Sequence, residues 1–428
     1  MNTYKTPWSL VMLLFATATA SYICRVNVST AGPLLMKEFG LSQVAMGRVF
    51  SAFLLGYALF QVPAGALADK WGAPKILGAA AWFWVALTVI QSLTGWGPFQ
   101  VNAGLALIIF LALRFLLGVS ESPTFPGAAK GVSMWVQPQF RGRANGIVIA
   151  AVGLGSAIAP PLVSFVMVNQ GWRIALIVSA IPALIIAVTW QIIKKSSRQL
   201  NNTKFADTDT EHRNAAIQKP TIEPTDNEIT SAKPLVSTSF ILLTISYTLQ
   251  GYVGYIFVSW FYIYLVQERH FGLLSGAWMS SLPWVLSIIS IPLGGWISDR
   301  LAAGKLGAAK GSRIVPVTGM ALSGVLISIG AHTDSAVIAA ITLAFATAFV
   351  LCVEGPFWAM MMNISGKNSG KAGGIMNMGS NIGGLISPTL TPLLATYIGW
   401  ENALHVAAVL SVIAAILWLG VKTEHHSI

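Results

Sequence analysis

Long apolar stretches alternate with short polar ones from one end of this chain to the other. Twelve apolar stretches stand out: 8–34, 44–67, 75–95, 103–134, 144–168, 172–193, 236–266, 273–297, 313–331, 335–363, 371–397 and 402–421. Each is near or above the roughly 20 residues that an α-helix needs to cross a bilayer. A helix satisfies its own backbone polar groups, so runs of this length predict transmembrane helices. The connections are short except for 194–235, which is polar, charged and proline-containing, the composition of a solvated linker. The pattern predicts an all-α membrane protein of twelve transmembrane helices. They divide into a six-helix half over 1–193, a linker over 194–235 and a second six-helix half over 236–428.

Composition sharpens this. Of 428 residues, 55% are hydrophobic and 10% charged, whereas a soluble protein carries about 25% charged residues. The net charge of +11 suggests a nucleic-acid partner until its distribution is followed. Twenty of the 26 lysines and arginines fall on the side that holds both termini and the even-numbered loops. Lys37, Arg48, Arg173 and Arg269 fall on the other side, and Arg25 and Arg114 lie inside spans. By the positive-inside rule both termini are cytoplasmic, and the basic charge reports topology in a lipid bilayer, with no nucleic acid as partner. Lys5 and the run after it resemble a signal peptide, but the apolar run continues to Pro33 and more spans follow, so it reads as the first span. Cys24 and Cys352 sit in apolar stretches and argue against a disulfide framework and a zinc site. No metal or cofactor is expected.

The halves repeat. Gly65-Ala-Leu-Ala-Asp69-Lys70 ends span 2 and Gly295-Trp-Ile-Ser-Asp299-Arg300 ends span 8, an offset of 230 residues. The same offset sets Tyr22, Arg25 and Ser29 of span 1 against Tyr252, Tyr255 and Ser259 of span 7. Glu121-Ser-Pro123 of span 4 matches Glu354-Gly-Pro356 of span 10, and Ala159-Pro160 matches Ser387-Pro388. Parallel repeats of this kind predict a site at the midplane, between the halves.

Ionisable groups inside spans are the candidate chemistry, because each costs about 2.5–3.5 kcal/mol at membrane depth unless it faces a partner or a wet cavity. Of fifteen acids, only Glu121 and Glu354 fall well inside spans. Arg114 and Glu121 are seven residues apart, so they share a helix face at a rise of roughly 10 Å. Pro123 and Pro126 loosen the backbone beside Glu121. Arg25 reads either as a permanent partner of Glu121 or as a fork for a substrate carboxylate. Arg114 either orients Glu121 or packs structurally. Glu354 reads as a hydrogen-bonded core group, with a second coupling site as the other possibility. Span 7 is rich in aromatic residues. Tyr262 and Tyr264 read as an interfacial belt, while Tyr255, aligned with Arg25, is expected to face the cavity, with Trp358 as one wall. No Walker loop or nucleophile constellation is present. The six histidines (212, 270, 332, 405, 425, 426) lie near span ends or outside spans. The chain is therefore not expected to be an enzyme, and an ion gradient is its expected energy source.

The loop GALADKWG (65–72), its second copy at 295–300 and the six-plus-six plan resemble the major facilitator superfamily. Four stretches resemble its anion:cation symporter branch, which includes bacterial sugar-acid carriers and the animal sialic-acid and vesicular glutamate carriers. They are SYICRVNVSTAGP in span 1, SAFLLGYALFQVPAGALADKWG in span 2, RFLLGVSESPTFP in span 4 and NMGSNIGGLISP in span 11. One departure is Cys24, where bacterial members of the branch usually carry an Asp before the span-1 arginine. The resemblance gives that Asp a part in proton coupling.

The resemblance implies a proton-coupled importer of a small organic anion, a sugar acid or related carboxylate, working by alternating access. Such a carrier is expected as a monomer in a bacterial inner membrane. Arg25, Tyr57, Tyr255, Trp358, Asn377 and Asn381 are the expected substrate contacts. Glu121 and Arg114 are the expected proton-coupling pair, with Glu121 taking the proton that frees Arg25 for the anion. Asp69, Lys70, Asp299 and Arg300 are expected to gate, Asp69 by pairing with Lys70, Arg141 or Arg143. Two alternatives stand beside this reading. A drug/proton antiporter of the same superfamily is disfavoured by AVGLGSAIAPP in span 5, which lacks a Gly-Pro step. A non-transporting sensor would use 194–235 as its output element.

Overall fold

The computed structural model describes residues 7–97, 101–200 and 237–422, so 201–235 of the expected linker lie outside the described residues. Among the described residues all regular structure is helical. The α-helices are α1 (Trp8–Phe39), α2 (Gln43–Trp71), α3 (Ala73–Leu93), α4 (Ala103–Glu121), α5 (Thr124–Trp135), α6 (Arg141–Ser179) and α7 (Ile181–Leu200). They continue as α8 (Thr238–Ser259), α9 (Phe261–Gln267), α10 (Leu273–Ala303), α11 (Gly307–His332), α12 (Ala336–Cys352), α13 (Glu354–Ser365) and α14 (Ser369–Gly420).

Ten helical segments are long and apolar enough to cross a membrane. Two of them, Arg141–Ile193 and Lys371–Gly420, run for 53 and 50 residues, about twice a crossing. Each breaks at a glycine in the left-handed region, Gly171 at φ 81° and Gly399 at φ 80°, where a side chain would be strained. These breaks separate spans 5 and 6 and spans 11 and 12, giving twelve crossings among the described residues, with the start of α1 and the end of α14 on one face. That face is called the terminal face below, and the opposite one the far face.

Three spans are broken where the sequence suggested unbroken helices. Span 4 divides into α4 and α5 at Ser122–Pro123, span 7 into α8 and α9 at Trp260, and span 10 into α12 and α13 at Val353. Pro123 has no N–H to continue the ladder, and Pro356 has the same defect inside the first turn of α13. Glu121 therefore ends one helix and Glu354 begins another. Small residues bring the backbones together between these breaks. A Cβ on Gly118 would lie 2.0 Å from the Phe53 carbonyl oxygen, and one on Gly56 would lie 2.2 Å from that of Phe115. This contact of α2 with α4 is the close approach that small residues permit in membranes.

The first six spans meet the last six mainly toward the far face. Gln43 donates to Gln267 (3.2 Å) and accepts from the Trp400 indole (3.1 Å). Deeper in, Ser51 donates to the Leu385 carbonyl, Ser164 to that of Leu273 and Ser281 to that of Ala157, at 2.7, 2.8 and 2.7 Å. On the terminal side the bond from Asn377 to Gln61, at 3.4 Å, is the last to cross among the described residues. Tyr262 and Tyr264 correct the expected interfacial belt: both are buried, because the short α9 turns inward. The Tyr262 hydroxyl donates to the Leu273 carbonyl, and the Tyr264 hydroxyl accepts from Arg269.

Candidate functional site

Arg25 lies about four turns short of the far end of α1, wholly enclosed by protein (5% exposed). Its Nε donates to Glu121 Oε2 at 3.1 Å, and Nη2 lies 3.0 Å from the same oxygen. Nη1 donates to the Tyr22 hydroxyl at 3.1 Å. The guanidinium sits over three rings, with centroids at 4.3 Å (Tyr22), 4.8 Å (Phe53) and 4.8 Å (Tyr57). Aromatic faces attract a desolvated cation, which helps hold the charge at this depth. Phe53 and Tyr57 reach it because α2 is drawn against α4 by the glycine contact.

The pair is incomplete. Both contacts go to one oxygen of Glu121, while among the described residues Oε1 has no donor and Arg25 Nη2 has no well-directed acceptor. Buried polar groups are normally satisfied, so unused capacity on both partners marks a place for a further group. Arg114 does not reach Glu121: its Nη1 and Nη2 donate to the carbonyls of Cys24 (3.3 Å) and Arg25 (2.7 Å), fixing the backbone that carries the other arginine.

Arg25, Ser29, Phe53, Arg114, Tyr255 and Ser259 line a narrow space between the halves, which must widen before it can take a guest larger than water. The repeat is visible in its walls. Ser29 and Ser259 are counterparts, and so are Arg25 and Tyr255; all four line the space. Asn27 lies elsewhere, donating to Ser179 Oγ at 3.0 Å and tying span 1 to span 6.

Glu354, the counterpart of Glu121, has a different environment. It accepts from Tyr247, from Gln250 (3.3 Å) and from the Trp358 indole (3.2 Å). No cation pairs with it among the described residues, in keeping with a hydrogen-bonded group of the core. Trp358 thus bonds Glu354 and is not among the residues lining the space beside Arg25. Asn377 reaches Gln61, and Asn381 is half-buried one turn further along α14.

On the terminal face, Asp69 pairs with Lys130 at 3.2 Å, not with Lys70, Arg141 or Arg143. Lys130 lies on α5, which packs beside α2, whereas Arg141 turns back to the carbonyls of Val136 and Ser133. Lys70 and Asp299 are exposed, and Arg300 lies over the Trp296 ring at 5.2 Å. Sequence reasoning missed Tyr22 and Phe53 as walls around Arg25. Tyr22 had a signal in its repeat partner Tyr252, while Phe53 had none beyond its one-turn spacing from Tyr57.

A family model described as Major Facilitator Superfamily matches residues 13–370 and, again, 301–427. The chain is 31% identical to a probable sulfoacetate transporter of Cupriavidus necator, over 86% of this chain and 83% of that protein. It is 30% identical to a probable galactarate/D-glucarate transporter of Bacillus subtilis, over 96% and 90% of the two chains. Among solved structures, a bacterial homologue of the human lysosomal transporter Spinster superposes with a TM-score of 0.77 at 15% identity, over 98% and 97% of the chains. That likeness concerns the fold.

Proposed function

The chain belongs to the major facilitator superfamily, a family of transporters and not of enzymes, and from that premise we propose that it imports a small organic anion by proton-coupled alternating access. The substrate class is a sugar acid or a related carboxylate or sulfonate, as the names of the relatives suggest. The observation that carries the reading is the incomplete Arg25–Glu121 pair at the edge of the cavity. An anionic oxygen fits the unused capacity of Arg25 Nη2, and the rest of the planar fork becomes available to a carboxylate once Glu121 lets go. Ser29, Tyr255 and Ser259 supply hydroxyls for the rest of the guest. Tyr57, Asn377 and Asn381, with Trp358 as a wall, belong to the substrate path as it opens toward the terminal face.

The mechanism follows from charge. With Glu121 ionised, the two arginines and one carboxylate sum to one positive charge, and Glu121 competes with the guest for Arg25. A proton on Glu121 removes the competitor and frees the fork. Guest and proton together leave the cluster as near neutral as before, which favours closure around them. Loss of the proton on the other side restores the competitor and expels the anion. Coupling of this kind needs different affinities in the two states, at about 1.4 kcal/mol for each tenfold.

The lysine and arginine distribution supports a cytoplasmic terminal face in a bacterial inner membrane. The far-side fastening then corresponds to an inward-facing arrangement. Residues 194–235 join the two halves, and Asp69, Lys70, Asp299 and Arg300 stand at the gate on that face. The carrier is taken to act as a monomer. The test is uptake of labelled D-glucarate or sulfoacetate into proteoliposomes with an imposed pH gradient. Accumulation that follows the gradient and collapses with a protonophore is the expected result. Uptake of neither anion, or uptake indifferent to the gradient, overturns the reading.

A further inference from the structure

A cluster at the far face plays no part in the carrier mechanism. His332 ends α11, and Glu401 and His405 lie one turn apart just after the break at Gly399. Glu401 Oε1 is 2.7 Å from His332 Nδ1 and 3.8 Å from His405 Nε2. The three ligand-type atoms all lie within 4.8 Å of one another. A tetrahedral zinc ion with bonds of about 2.0–2.1 Å needs ligand atoms roughly 3.3 Å apart. The observed spacings bracket that value, and small rotations of these outward-facing side chains reach it.

Two further contacts show that the cluster is held in place. His405 Nδ1 lies 3.3 Å from Ser328 Oγ, which orients the ring and leaves Nε2 turned toward Glu401. A second hydrogen bond on a ligating imidazole is the usual support of a metal-binding histidine. Arg269 donates to the carbonyls of Gly330 (3.0 Å), Ala331 (2.7 Å) and Thr333 (2.7 Å), fixing the end of α11 that carries His332. The charge around the cluster favours a cation: Glu401 and Asp334 both act on His332, while Arg269 is the fixed positive group acting on Glu401.

We propose that His332, Glu401 and His405 form a binding site for a divalent zinc-class ion, which fastens span 9 to the start of span 12. Two imidazoles and one carboxylate suit zinc and its neighbours, whereas magnesium and calcium take oxygen-only shells. Glu401 follows Trp400, whose indole reaches Gln43 across the seam. A bound ion therefore holds the helix start that closes the far face.

The test is calorimetric titration of the purified, chelator-stripped full chain with zinc chloride, beside thermal unfolding with and without zinc. His212, His270, His425, His426 and the cysteines offer other zinc contacts, so the variants decide. The expected result is one saturable site that loses more than about a hundredfold in affinity in His332→Ala and in His405→Ala. Ser328→Ala weakens it by roughly 10–100-fold, the usual effect of losing such a support. Zinc raises the melting temperature of the parent chain and not of either histidine variant, and magnesium raises neither. Unchanged zinc affinity in both histidine variants, an equal effect of magnesium, or no saturable binding overturns the proposal. No transport substrate enters the experiment, so its outcome is independent of the carrier reading.

Discussion

Glu121→Gln keeps the shape of the side chain and removes its charge, leaving Arg25 permanently available. An anion on the unused capacity of Arg25 Nη2 would sit beside Glu121. Two unit charges about 6 Å apart repel by roughly 3 kcal/mol at an effective dielectric constant of about 20. That corresponds to roughly a hundredfold in affinity. The parent chain should therefore bind the anion tightly where Glu121 carries its proton and about a hundredfold more weakly once pH has risen through its titration. Glu121→Gln should bind at every pH with the affinity the parent shows in acid. Binding is read by calorimetry across the pH range and coupling by proteoliposome uptake. The variant should exchange labelled for unlabelled substrate yet fail to concentrate it. A variant that keeps the parent's pH dependence, or still accumulates substrate against a gradient, refutes the argument.

Three other outcomes are expected. Arg25→Lys keeps a charge and loses the fork that spans Tyr22 and Glu121, so affinity for the anion should fall at least about tenfold with the elution profile unchanged; calorimetry checks it. A Cβ on Gly118 would meet the Phe53 carbonyl oxygen at 2.0 Å, whereas one on Gly374 meets nothing within 4 Å. Gly118→Ala should cost about 1–3 kcal/mol of stability, seen as a lower melting temperature in detergent, while Gly374→Ala leaves it unchanged. Ser29→Ala and Ser259→Ala should each weaken the anion by roughly three- to tenfold, the worth of one hydrogen bond, in the same titration.

The spans were legible because bilayer thickness writes itself into the chain as length. Both reversals were expected where Gly171 and Gly399 provide them. The meeting of Arg25 with Glu121 was also anticipated, since a charge at membrane depth has few partners to choose from. The breaks at Trp260 and Val353 were not read, and that at Ser122–Pro123 only as a loosening by Pro123 and Pro126, because hydropathy measures how apolar a stretch is and not whether it is straight. The partner of Asp69 was misread for a related reason. Candidates were drawn from nearby loops, whereas Lys130 arrives from α5, whose position depends on the break in span 4. The histidine cluster was invisible because His332 and His405 stand on helices that only the folded chain brings together.

The ion pairs found among the described residues each lie within one half of the molecule. What spans the seam is serine, glutamine, asparagine and indole bonding set in apolar contact, with one carboxylate, that of Glu268, accepting from Gln43 at 3.5 Å. Dissolved electrolyte acts on exposed charges over about 10 Å at 0.1 M and leaves neutral dipoles almost untouched. The far-face seam is therefore expected to hold across a wide range of ionic strength, whereas the exposed charges of the terminal face feel the surrounding salt directly.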